Sequence, residues 1–158
     1  MTEDARARAD RVALAIATVG GAGYAPVAPG TVGSAITVVA LWLLPFSIVG
    51  LTVFLGVVLV VGTWAAGRAE RLMGRKDPGA IVIDEVAGMT ISLMLAPRNL
   101  GAYALAFLFF RIFDVIKPFP ARQSQRITGG VGVMIDDVMA GFYALAVTLA
   151  LNVFLRWP

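Results

Sequence analysis

Apolar and polar residues fall in long blocks along this chain, not in the short alternation of strands. Residues 2–18, TEDARARADRVALAIAT, read as one helix with a polar half carrying Arg6, Arg8 and Arg11 and an apolar half from Val12. Thr2 is the expected N-cap, and Glu3 and Asp4 complement the positive end of the helix dipole. The apolar half falls well short of the roughly 20 residues that a bilayer span requires. Residues 1–19 are therefore expected to form an amphipathic helix, and residues 20–34, a glycine- and proline-rich loop.

Residues 32–67 carry no charge. The block is too long for a single span, so a helical hairpin is expected, turning between Pro45 and Gly50. The solvated stretch GRAERLMGRKDPG over 67–79 leads into an apolar segment over 80–97 that opens with Asp84 and Glu85. After the turn RNLG, a helix from Ala102 is expected to continue through Arg111, Asp114 and Lys117 until Pro118 stops it. Their i, i+3, i+6 spacing places these three charges in one stripe. A polar loop follows, and Asp136 and Asp137 are expected to open the last apolar segment, 138–155. The expected fold is all-α: a polytopic membrane helical bundle over 35–158, with about four to five hydrophobic segments beside the amphipathic helix, in one domain spanning 1–158.

Composition supports the membrane reading. Of the 158 residues, 59% are hydrophobic and 15% charged, against roughly half and a quarter in soluble domains. The net charge of +3 is not gathered into a basic stripe, so no nucleic-acid partner is expected. The cations instead favour one topology. With the N-terminus inside and five crossings, the inside receives Arg6, Arg8, Arg11, Arg68, Arg71, Arg75, Lys76, Lys117, Arg122 and Arg126, and the outside only Arg98 and Arg156.

The chain has no cysteine and no histidine. Thiol or imidazole nucleophiles, Ser-His-Asp triads and thiolate or imidazole zinc sites are excluded. Any metal must be held by oxygen, which favours magnesium, manganese or calcium. The same threading brings Asp84, Glu85, Asp114, Asp136 and Asp137 to the cytoplasmic ends of their segments. Carboxylates this close repel one another, and magnesium shared with a substrate phosphate is the economical resolution. Arg111 and Lys117 would balance the remaining phosphate charge. Thr31, expected to cap the next helix, lies at a helix N-terminus of the kind that suits phosphate. A carboxylate would then activate water or attack phosphorus itself, and the residues leave both routes open. Each residue also has a plain structural role: a helix cap for Asp136 or Asp137, an ion-pair ladder for Arg111, Asp114 and Lys117, and a helix connector for the glycine–proline loop.

Four motifs, GYAPVAPGTVGS, IVIDEVAGM, FRIFDVIKPFP and GGVGVMIDDVMAG, occur in that order over residues 20–141. Together they resemble the phosphatidylglycerophosphatase A family of bacterial membrane lipid phosphatases. The resemblance implies magnesium-dependent hydrolysis of phosphatidylglycerophosphate to phosphatidylglycerol and phosphate, in phospholipid biosynthesis, by a multi-pass inner-membrane protein whose site faces the cytoplasm. Carried onto this sequence, it implies catalytic roles for Asp84, Glu85, Asp136 and Asp137 and a metal set of Glu85, Asp114, Asp136 and Asp137. Gly30, Thr31, Arg111 and Lys117 would hold the substrate phosphate, with Pro29 in the same loop. One departure is clear: Ser124-Gln125-Arg126 stands where the family often carries an aspartate before an arginine. The rival reading is an ion-coupled transporter whose acids form a cation path. Transport sites sit near the bilayer midplane, whereas these acids lie at segment ends.

Overall fold

The computed structural model describes residues 2–119, 121 and 127–155. Among these it is all-helical, with six α-helices, one short 3₁₀ turn and no strand. Helix α1 (Glu3–Ala17) starts as expected, with the Thr2 hydroxyl accepting the Ala5 N–H at 3.4 Å. After the 3₁₀ turn at Ala22–Tyr24, α2 runs over Pro29–Leu43. It begins two residues before the expected cap. Proline suits the first helical position because its φ is preset and it has no N–H to leave unpaired. Ala28, at φ 46°, is the capping position, so Thr31 lies inside the first turn and is not the N-cap.

The two expected helices and the turn between them are present. Helix α3 (Ile48–Met73) follows a turn over 44–47, with Ser47 accepting the Gly50 N–H at 3.1 Å. Helix α4 (Ile83–Leu93) is short, and every one of its residues is buried. The two expected helices do not pack chiefly on each other: α2 packs mainly on α4, and α3 on α1 and the last helix. Helix α5 (Leu100–Ile116) is capped by Asn99, which accepts the Ala102 N–H at 2.8 Å. It stops at Lys117, which adopts φ 48° just before Pro118. Helix α6 (Gly130–Leu155) begins earlier than expected. Asp136 and Asp137 therefore sit almost two turns inside it and do not cap the last helix. The positions of Arg122, Ser124, Arg126 and Arg156 lie outside the described residues.

The hydrophobic segments also differ from expectation. Among the described residues, two helices, α3 and α6, are long and apolar enough to cross a membrane, and α2 is apolar but only 15 residues long. Helix α4, at 11 residues, rises about 16 Å, roughly half the bilayer core. Its burial has a different cause from lipid exposure: it packs among α2, α3, α5 and α6. On α3, by contrast, Val53, Val57 and Val60 face outward.

Helices α4 and α6 approach closely because two glycines meet. A Cβ on Gly141 would lie 2.5 Å from the Gly88 carbonyl oxygen, and one on Gly88 would lie 2.5 Å from the Asp137 carbonyl oxygen. The Ser92 hydroxyl crosses the same contact, 3.4 Å from the Gly141 carbonyl. Small residues let backbones meet where hydrocarbon surroundings give helices little reason to associate. This crossing sets the acids of α4 against those of α6.

Candidate active site

The site forms where the N-termini of α2 and α4 meet the C-terminal end of α5 and the first turns of α6. Local tethers hold these ends together. The Val82 N–H donates to the Ala17 carbonyl at 2.8 Å, tying the start of α4 to the end of α1. The Arg111 guanidinium reaches the Ser34 hydroxyl at 3.4 Å, and that hydroxyl donates to the Gly30 carbonyl at 2.8 Å, tying α5 to α2.

A cavity of about 250 Å³ lies between these elements. Asp84, Glu85, Asp114, Asp136 and Asp137 all line it, as do Arg111, Lys117, Pro29 and Gly30. Thr31 is absent from its wall, so the structure brings every expected site residue but one to the same cavity.

The acids divide into two groups. Asp114 pairs with Arg111 at 3.0 Å, one helical turn away, and Asp136 pairs with Lys117. The other three, Asp84, Glu85 and Asp137, place carboxylate oxygens within 4.8 Å of one another. Asp84 and Glu85 diverge as neighbours on a helix, yet Asp137 of α6 sits where both reach it. Arg111 lies 3.8 Å from Glu85 of this triad, and Lys117 lines the same cavity. Asp84 Oδ1, Glu85 Oε2 and Asp137 Oδ2 are buried without a hydrogen-bond partner.

Buried, unpartnered, acceptor-only groups held this close repel unless a proton or a cation sits among them. An all-oxygen donor set of this kind fits a hard divalent cation. The geometry brings Asp84, Glu85 and Asp137 together as ligand candidates; of the expected set of Glu85, Asp114, Asp136 and Asp137, it places Glu85 and Asp137 in this triad and pairs Asp114 with Arg111 and Asp136 with Lys117. Asp114 and Asp136 hold their cations more closely than Glu85 holds Arg111.

The cations are equally well placed. Burial pulls the Lys117 ammonium down, but its hydrogen bond and ion pair with Asp136 outweigh this and hold it above the usual lysine value. It stays charged beside the cavity. Arg111 bridges Asp114 and Glu85 and leans over the Phe110 ring, 5.9 Å from its centroid.

One acid in the wall was not singled out in the sequence. Asp77, in the loop after α3, lines the cavity, and burial followed by the nearby Asp136 charge pushes its carboxyl up. Its only sequence signal is the Asp-Pro dipeptide inside an otherwise solvated, charged stretch.

The fold and site define a class: an all-helical protein with membrane-length apolar helices and a buried carboxylate triad, ringed by cations, at one end of the helices. Comparison with known proteins names the family. The sequence profile of the phosphatidylglycerophosphatase A family matches residues 15–152, and the chain belongs to that family. It is 38% identical to phosphatidylglycerophosphatase A of Escherichia coli, over 87% of this chain and 81% of that one. It is likewise 38% identical to phosphatidylglycerophosphatase A of Haemophilus influenzae, over 84% of this chain and 83% of that one. A Bacteroides thetaiotaomicron protein named "Putative phosphatidylinositol-3-phosphatase" is 43% identical, over 82% of this chain and 86% of that one. No solved structure matches the fold at a significant level.

Proposed function

We propose that this chain is a magnesium-dependent phosphomonoesterase that converts phosphatidylglycerophosphate to phosphatidylglycerol and phosphate at the cytoplasmic face of a bacterial inner membrane, within phospholipid biosynthesis. One observation carries this reading: three buried carboxylates with unpartnered oxygens converge in a cavity that also holds an arginine, a lysine and a helix N-terminus. The names of the relatives supply the substrate class. They describe a phosphate monoester on a lipid-borne polyol, glycerol in two cases and inositol in one.

The chain's own groups suit the reaction. Arg111 and Lys117, with the α2 N-terminus at Gly30, present positive charge to a phosphate dianion. Asp84, Glu85 and Asp137 would hold the magnesium ion, which when bound neutralises phosphate charge and acidifies water. Asp114 and Asp136 are engaged by cations, so they fix Arg111 and Lys117 in place. Taking up the proton of the attacking water falls to a carboxylate of the triad. Water oxygen bonds to phosphorus, the phosphorus–oxygen bond to the glycerol breaks, and the glycerol oxygen takes up a proton.

The proposed topology is multi-pass. Lys117 and Arg98 flank opposite ends of α5, and the arginines and lysine of residues 68–76 follow the apolar part of α3, so the cations concentrate on the side of the site. A lipid can keep its tails in the bilayer while its headgroup reaches helix ends at that depth.

The test is phosphate release from phosphatidylglycerophosphate by detergent-purified protein, with magnesium and then with excess chelator. Magnesium-dependent release, lost on chelation, is expected. A parallel assay on phosphatidylinositol 3-phosphate separates the two headgroups. Folded protein that releases phosphate from neither lipid would refute the phosphatase reading. Cation flux in proteoliposomes would then favour the transport alternative.

A further inference from the structure

A second cavity, of about 350 Å³, adjoins the acidic one. Glu70, Lys76, Ile127, Gly132 and Val133 line it, and it shares Asp77 and Asp136 with the first as a common wall. The phosphate chemistry described above leaves this space unused.

The shared wall is unusually constrained. Asp77 adopts φ 45°, a region that disfavours most side chains. Surrounding contacts hold it there. Its N–H donates to the Glu70 carboxylate at 3.1 Å, the next residue, Pro78, is fully buried, and the Pro78 carbonyl accepts the Ile81 N–H at 2.8 Å. Strain of this kind persists where the surroundings over-determine it, and it collects at ligand sites.

The lining also selects its occupant. It carries the carboxylates of Glu70, Asp77 and Asp136, the last already paired with Lys117, against one lysine. Fixed acceptors suit hydroxyl donors. Ile127 and Val133 offer apolar surface to a carbon skeleton.

We propose that this second cavity seats the polyol of the lipid phosphomonoester, glycerol in the reading above, with the Asp77 carboxylate, positioned through Glu70, accepting the hydrogen bond from its free hydroxyl while the phosphate lies in the acidic cavity. The inference rests on that phosphatase reading and names what sets its headgroup specificity.

Two variants test it. Asp77→Asn removes the charge but keeps a residue type that tolerates positive φ. Ile127→Trp fills the cavity from a half-exposed loop position. The first readout is the ratio of kcat/KM for phosphatidylglycerophosphate to that for phosphatidic acid, whose phosphate is borne directly on diacylglycerol. A site built around a hydroxyl discriminates strongly, so the ratio should fall at least about tenfold in both variants. The second readout is calorimetric binding of glycerol 1-phosphate against inorganic phosphate, with magnesium present. The wild type should prefer glycerol 1-phosphate, and both variants should lose that preference. A ratio unchanged in both variants, or equal binding of the two probes by the wild type, would overturn the proposal. Wild-type protein that hydrolyses neither lipid, yet shows a preference for glycerol 1-phosphate that the variants lose, would refute the phosphatase reading and leave the polyol site standing.

Discussion

Gly30→Ala should separate activity from stability. Gly30 is the second residue of α2 and faces the triad. A Cβ there would collide with Glu85 Oε1 and lie 3.2 Å from Arg111 Nη1. Neither obstacle is backbone. Both are ends of side chains, so the clash is relieved by moving the Glu85 carboxylate about 1 Å, the order of displacement that costs about 100-fold in rate at a catalytic centre. That loss corresponds to about 2.7 kcal/mol of barrier. The fold should be spared, because alanine in a helix gains up to about 1 kcal/mol over glycine. The assay pairs phosphate-release kinetics with a thermal midpoint in detergent. Gly56→Ala is the control, since nothing lies within 4 Å of its added Cβ. Gly30→Ala protein with full kcat would remove Glu85 from the chemistry. A collapse of the thermal midpoint would show that the clash is not absorbed by side chains.

Other substitutions probe the rest of the design. Asp137→Asn and Glu85→Gln should each lower kcat about 1,000-fold, and Asp137→Asn should hold or raise the thermal midpoint because it relieves repulsion within the triad. Turnover within a few-fold of wild type would take either residue out of the site. Gly88→Ala should cost about 3 kcal/mol by forcing α4 and α6 apart, read as a lowered midpoint, with an unchanged one contradicting the close crossing. Thr31→Ala should leave KM unchanged, because Thr31 does not line the cavity; a raised KM would restore the threonine hydroxyl as a phosphate contact.

Much of the fold was legible because it depends on local chemistry. Uncharged runs marked helices, Pro118 marked the end of α5, and the turns expected between Pro45 and Gly50 and over 98–101 are where Ser47 and Asn99 cap α3 and α5. The starts of α2 and α6 were misplaced. The first polar residue attracted the boundary in each case, Thr31 for α2 and Asp136 for α6. The actual starts are Pro29 and Gly130, which lack such side chains. The five acids and two cations stood out because charge beside apolar segments is costly without a purpose. Asp77 was concealed because nothing within the charged stretch 67–79 marks out the acid that the fold brings to the cavity wall.

The sequence by itself determined the all-helical, apolar character of the chain, an oxygen-only donor set and the residues from which a site had to be built. These follow from composition and from periodicity within single segments. Only the tertiary structure decided how the acids divide. Arg111 and Lys117 take Asp114 and Asp136, and the Gly88–Gly141 crossing sets Asp137 against Asp84 and Glu85. That division depends on distances between helices far apart in sequence. Gly88, three residues after Glu85, is legible as a place of close helix approach, but its partner Gly141, and with it those distances, is fixed only by the fold.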